Sequence, residues 1–247
     1  DLNARFAAVR PVLSILVGAS VMLSLAMGLR QSLGIFMPSL TKDIGISVAD
    51  FTLAVAVQNL GWGILQPFAG ALTVRLGYRR MMLGGSLLYI AGMLLLAGAH
   101  GMASVLIGAG VALGAAMACA GPAIGMSVAA QAAPPAMRSA VLGIVSGAGS
   151  LGALIAAPVG QLLMQHQGWR AGLVGFAFLA LAMLPAAWAA GRIDRLPLPA
   201  APGTADAGTA RQALGTALAN PAFVVMTLAY CVCGMQLVFL TTHLPAY

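Results

Sequence analysis

Glutamate does not occur in the 247 residues, and the five aspartates are Asp1, Asp43, Asp50, Asp194 and Asp206. All five lie in the N-terminal tail, in loops or at the edge of an apolar run. The apolar runs therefore hold no carboxylate to work as a general acid or base, or to carry a proton. Charged residues make up only 7% of the chain, against about 25% in a soluble domain. A water-soluble fold is excluded. Cysteine is scarce as well: Cys119, Cys231 and Cys233, all in apolar segments. Residues 231 and 233, two apart on a helix, point to nearly opposite sides, which argues against a metal pair and for small packing residues. Alternating strands of about ten residues, the mark of an outer-membrane barrel, are few.

What is abundant is apolar sequence: 61% hydrophobic residues, 31 glycines and a mean hydropathy of +0.97. Runs of about 20 apolar residues recur along the whole chain, long enough to cross a bilayer as helices. The fold class expected is an all-α membrane protein. The net charge of +7 is not a nucleic-acid footprint, because the basic residues stand between the apolar runs, where they set topology.

The stretch Leu60 to Arg80, LGWGILQPFAGALTVRLGYRR, recurs 91 residues later as LGALIAAPVGQLLMQHQGWRA, Leu151 to Ala171. Seven positions are identical: Leu60/Leu151, Gly61/Gly152, Ile64/Ile155, Pro67/Pro158, Leu72/Leu163, Gly77/Gly168 and Arg79/Arg170. Both copies read as the end of an apolar helix, a kinking proline, a tight glycine turn and an Arg before the next apolar run. Three helices per period would set the two copies in opposite orientation across a bilayer. Inverted repeats of this kind build many secondary transporters.

Taken in order, span one is expected over about Val12 to Pro38, followed by the loop Leu40 to Asp50. Span two covers about Phe51 to Thr73, span three Met81 to Ala99 and span four Ala103 to Ala130. Span four stops at Pro134-Pro135. Spans five and six run over about Ser139 to Met164 and Ala171 to Ala190. The segment Gly191 to Asn220, with its run PLPAAPGTADAGT, has linker composition, and span seven begins near Pro221. The domain reading is thus a six-span unit over 1–190 (repeats 1–99 and 103–190), a linker over 191–220, and a seventh span over 221–247. The chain starts at Asp1 without methionine and stops inside or just beyond the seventh run, so it is read as part of something longer. Small residues crowd spans four and five and predict close helix packing there. Spans three and six read as lipid-facing.

With the N-terminus in the cytoplasm, Arg5, Arg10, Arg75, Arg79, Arg80, Arg138, Arg192, Arg195 and Arg211 fall inside, and only Lys42 and Arg170 outside. This positive-inside bias predicts a multi-pass protein of the inner or plasma membrane with a cytoplasmic N-terminus and linker.

Two three-span repeats, a basic linker and a fresh span resemble the major facilitator superfamily. That superfamily's loop motif between spans two and three, G-x-x-x-D-R-x-G-x-R-R, is matched by Gly70, Arg75, Gly77, Arg79 and Arg80, with Val74 in place of the acidic residue. The resemblance implies a twelve-span, non-enzymatic secondary transporter working by alternating access, of which this chain would be the first half plus span seven. It also implies a gating role for the loop motif, which the loss of the acid at Val74 puts in question. The span-four Arg of proton-driven drug exporters is replaced by Gly110. Within the superfamily, GLRQSLGIFMPSL (28–40), AVLGIVSGAGSLG (140–152) and TTHLPAY (241–247) are similar to bacterial monocarboxylate and oxalate/formate transporters. That likeness implies a small carboxylate as substrate and partner, facing a cation in span one, and no cofactor. Coupling to protons or to exchange of a second anion stays open. A drug or metabolite exporter, or a non-transporting sensor or scaffold of the same fold, remains the alternative.

The cation in span one is Arg30, next to Gln31, and it is the only formal charge placed within an apolar span. A buried Arg costs about 2.5–3.5 kcal/mol at a helix centre, so it asks for a reason. Snorkelling to the interface is one; binding a carboxylate in a water-filled cavity is the other. Two further turns of apolar sequence beyond it favour the second. Gln58 and Asn59 follow Asp50 closely enough for the hairpin to bring them to the depth of Arg30, as substrate contacts or as interhelical glue. Asn59, Trp62 and Gln66 share a helix face. In span seven, Tyr230, Gln236 and His243 are the remaining polar candidates, with His243 near the outer rim. The glycine runs lack a preceding strand and a Walker lysine, so they are not nucleotide loops. The G-x-S occurrences are never followed by glycine, which argues against an intramembrane serine protease.

Overall fold

The computed structural model describes residues 9–196 and 210–244, with the side chains of 210–214 excepted; Arg5, much of the linker and the last three residues lie outside the described residues. Among the described residues six helices are long and apolar enough to cross a membrane. Five of them are Arg10–Ile44, Val48–Leu76, Tyr78–Ala97, Met102–Ala132 and Pro221–His243, and form spans one to four and seven. The sixth, Pro135–Arg195, has 61 residues and contains a non-helical Gly168 with φ 82° and ψ 171°. Gly160 faces the Phe176 ring and Gly175 faces Leu163, so the chain doubles back at Gly168 and makes spans five and six. A short helix, Ala210–Ala219, precedes span seven.

The turns are tighter than their composition suggests. The segment Leu40 to Asp50, read as a loop from its mixed charge, is helical on both sides of Gly45–Ser47. Gly45 ends span one in the left-handed conformation (φ 68°), which glycine adopts without Cβ strain. Ser47 and Asp50 form a reciprocal capping box that starts span two three residues later. Capping, not charge, sets the boundary.

Small residues set the helix crossings. A Cβ on Gly28 would lie 2.5 Å from the Gly152 carbonyl oxygen, and one on Gly152 would lie 2.1 Å from that of Ser24. Spans one and five therefore touch backbone to backbone, as packing in lipid favours. Spans three and six differ from the lipid-facing expectation: each buries one face. Span three buries Met82, Ser86, Tyr89 and Met93, and span six buries Leu173, Phe176, Ala177 and Ala187. Both helices are apolar all round, so sequence alone does not distinguish the lipid side from the packed side. Span seven is the least covered, burying only Thr242, and span two also leaves Leu60, Ile64 and Phe68 exposed.

Two polar ties hold the ends of the bundle. At the Gly45 end, Asp43 accepts hydrogen bonds from the Trp169 indole (3.1 Å) and Arg170 (3.4 Å), and Arg170 also donates to the Ala97 carbonyl (3.0 Å). These bonds join the ends of spans one, three and six. At the other end, Asp194 caps span three by accepting from the backbone N–H groups of Tyr78 (2.8 Å) and Arg79 (3.0 Å).

Candidate functional site

Arg30 stands at the end of the α-helical part of span one, Leu13–Gln31; the helix then tightens to a 3-10 segment, Ser32–Phe36. Pro38 contributes to this change, since it has no N–H to donate to the Gly34 carbonyl. Arg30 is 8% exposed, so it does not snorkel. Its Nε donates to Gln58 Oε1 at 3.0 Å and its Nη2 to Asn59 Oδ1. The guanidinium carbon lies 5.1 Å from the centroid of the Trp62 ring, a cation–π distance.

Both amides from span two are themselves held. Gln58, 1% exposed, donates through Nε2 to the Ala109 carbonyl at 2.7 Å, inside a π-helical segment of span four, Leu106–Ala112. Such segments disturb the regular backbone ladder, and Gln58 supplies a partner there. With Oε1 on Arg30 and Nε2 on Ala109, its orientation is determined. Gln58 is a positioning residue for Arg30. Asn59 donates to the Val55 carbonyl at 2.7 Å. The row continues with Trp62, whose indole donates to Gln66 Oε1 at 2.9 Å, while Gln66 Nε2 reaches the Ala118 carbonyl at 3.4 Å.

The acceptors around Arg30 are neutral amides. Among the described residues the one salt bridge is Arg170–Asp43, at the Gly45 end of the bundle. Arg30 is therefore a buried cation with hydrogen-bonding partners but no counter-charge, and that arrangement attracts an anion. Its Nη1 makes no hydrogen bond among the described residues. The group lines a narrow crevice with Gln31, Gly34, Gln58, Val238, Thr241 and Thr242. Gln31 also lines a neighbouring cleft with Ile35, Ala153 and Leu240.

Span seven meets span one here. A Cβ on Gly34 would lie 2.4 Å from the Thr241 carbonyl oxygen, so only glycine admits this contact. The residues of span seven that reach the crevice are Val238, Thr241 and Thr242, not those singled out in the sequence. Tyr230 is 72% exposed, Gln236 is exposed, and His243 lies beside the Phe239 ring at 5.1 Å. None of these three lines the crevice. In the sequence Thr241 and Thr242 are two hydroxyls among the several polar residues of span seven.

The loop-motif residues occupy the opposite end. Gly77 (φ 84°) makes the turn, Arg79 lies over the Trp188 ring at 4.4 Å, and Arg75 and Arg80 are exposed. Val74, in place of the motif's acid, is 87% exposed. Gly70 lines a cavity with Gln66, Thr73, Tyr78 and Ser127.

The model of the Major Facilitator Superfamily matches residues 16–247. The chain belongs to this superfamily, as an all-α, multi-pass membrane protein. A gallate transporter of Pseudomonas putida is similar to it, with 30% identity over 161 residues. The match covers 63% of this chain and 34% of the relative, so the matched stretch spans about a third of that relative's length.

Proposed function

We propose that this chain supplies the N-terminal half and seventh span of a secondary transporter for small organic anions, with the substrate carboxylate anchored at Arg30. The observation that carries the reading is the buried guanidinium, which has two neutral amide partners and, among the described residues, no counter-ion. A fixed cation near mid-membrane suits alternating access, since it attracts the substrate without a carboxylate to compete for it. Gln58 and Asn59 hold its plane, which favours the two-point recognition of a carboxylate that Arg offers.

Similarity to a gallate transporter supports aromatic carboxylates as the first substrates to try, and Trp62 beside Arg30 offers an aromatic surface for the ring. The basic asymmetry supports a cytoplasmic N-terminus and linker, and the matching turns support residues 1–99 and 103–190 as inverted repeats. Alternating access then proceeds by rocking about the Arg30 site.

The test is uptake of radiolabelled gallate by proteoliposomes holding the full-length protein, with benzoate and pyruvate as competitors. Uptake that carboxylates inhibit and that Arg30→Gln abolishes supports the reading. Carboxylate binding of wild-type affinity in a well-inserted Arg30→Gln protein sinks it. A protein that binds carboxylates but moves none across the membrane is a sensor, not a transporter.

A further inference from the structure

Five threonines of the described helices share a habit that Thr242 breaks. Thr41, Thr52, Thr73, Thr227 and Thr241 each donate their hydroxyl to the carbonyl four residues back, at 2.7–2.9 Å. Back-bonding of this kind is the usual way a helix satisfies a threonine in an apolar setting. The Thr242 hydroxyl makes no hydrogen bond among the described residues, although the residue is only 6% exposed. The residue is thus almost wholly packed while its hydroxyl stays uncommitted. Thr242 lines the same crevice as Arg30, whose Nη1 is likewise without a partner there.

Two residues from different helices, each more than nine-tenths buried, thus border one small space and each has a donor to spare there. The space measures about 10 Å³, room for roughly one oxygen atom. Val55, Leu33 and Val238 form its apolar walls and Gln31 its remaining polar edge. The Gln58 amide is already committed on both sides. The Gln31 amide oxygen is an acceptor not already committed there, and a carboxylate oxygen brings lone pairs for both Arg30 and Thr242.

We infer that Thr242 is a second ligand for the substrate carboxylate, so that the bound anion bridges Arg30 of span one to Thr242 of span seven. The inference rests on the proposed anion site at Arg30 and assigns it a ligand from the far side of the crevice. The same bond ties span seven down on Gly34, where the two backbones already touch. A filled site therefore holds this end of the transporter closed. An empty site lacks this bond, and the contact is weaker.

Benzoate binding to the full-length protein in detergent, measured by calorimetry, tests this, with Thr242→Val, Thr242→Ser and Arg30→Gln compared. Valine matches threonine in shape and removes only the hydroxyl. Its affinity should fall about tenfold or more, the worth of a hydrogen bond to a charged group, while serine stays within about threefold of wild type. Ligand-free thermal stability should not fall in Thr242→Val, since no bond is lost there. Wild-type affinity in Thr242→Val, together with loss in Arg30→Gln, overturns the bridge and leaves the anion site standing. Equal losses in the serine and valine variants also overturn it, since they make Thr242 a packing residue. Wild-type affinity in Arg30→Gln overturns the underlying site instead.

Discussion

Gly77 and Gly168 adopt nearly the same backbone conformation, φ 84° and ψ 158° against φ 82° and ψ 171°. They stand 91 residues apart, each one turn past a repeated Leu-Pro-Leu framework and immediately before an aromatic residue and an Arg. This region of backbone space is essentially reserved for glycine, at a cost of about 1–3 kcal/mol for other residues. Each glycine is followed by an N–H-bearing helix start with an acidic residue nearby, Asp194 for span three and Asp43 for span six. If the turns are symmetry mates, Pro67 and Pro158 superpose after a half-turn about an axis in the membrane plane.

Both glycines should therefore resist substitution, and unequally. An alanine Cβ at 77 would come within 2.8 Å of Asp194 Oδ2, whereas at 168 it would meet open space. Gly168→Ala should cost the backbone strain alone, about 1–3 kcal/mol. Gly77→Ala should cost more, because it also displaces the carboxylate that caps span three. Thermal unfolding of the two variants in detergent measures the difference, and equal stability would remove Asp194 from the account of this turn.

Orientation gives a prediction that needs no substrate. With Cys119, Cys231 and Cys233 replaced, a single cysteine at Lys42 should react with an impermeant thiol reagent in intact cells. One at Ala219, just before span seven, should react only after permeabilisation. The reverse pattern would invert the topology and place the basic linker outside, against the charge bias.

The spans and the depth of the site were legible because they rest on counting. Glycine turns and apolar run lengths locate the helices, and residues counted from the 45–47 hairpin bring Gln58 and Asn59 level with Arg30. Faces and fine geometry were not legible. Tyr230 and Gln236 are as polar as Thr242, yet which side of span seven meets span one depends on the backbone contact at Gly34, and no periodicity announces it. The π segment at Leu106–Ala112 is also silent in a run of Gly, Ala and Leu. Its only outward sign is Gln58, a polar side chain with a backbone carbonyl to satisfy.

Gln58 supplies the next prediction. Gln58→Leu leaves Arg30 Nε and the Ala109 carbonyl without these partners, at about 1–3 kcal/mol for each buried group. It should lower both stability and benzoate affinity. Gln58→Glu acts differently, since its carboxylate pairs with Arg30 and supplies the missing counter-charge. That variant should lose benzoate binding about as completely as Arg30→Gln, although its second oxygen has no proton to give the Ala109 carbonyl that Gln58 now satisfies. Benzoate affinity near wild type in Gln58→Glu would mean that the Arg30 charge does not draw the anion.

The last prediction concerns selectivity among carboxylates. The Trp62 ring lies against the Arg30 guanidinium and is fixed in the plane of span two by its bond to Gln66. An aromatic acid anchored at Arg30 can lay its ring on this surface, whereas pyruvate has no ring to offer. Aromatic pairs contribute about 0.5–1.5 kcal/mol beyond buried area, or roughly two- to tenfold in affinity. Trp62→Leu should weaken benzoate and gallate relative to pyruvate by that factor, and Trp62→Phe should restore most of it. Loss of the cation–π contact with Arg30 affects every carboxylate alike, so the ratio of affinities isolates the ring contact. Calorimetry on the full-length variants reads the ratio directly. Parallel losses for benzoate and pyruvate would make Trp62 a support for Arg30 alone and remove the basis for an aromatic preference at this site.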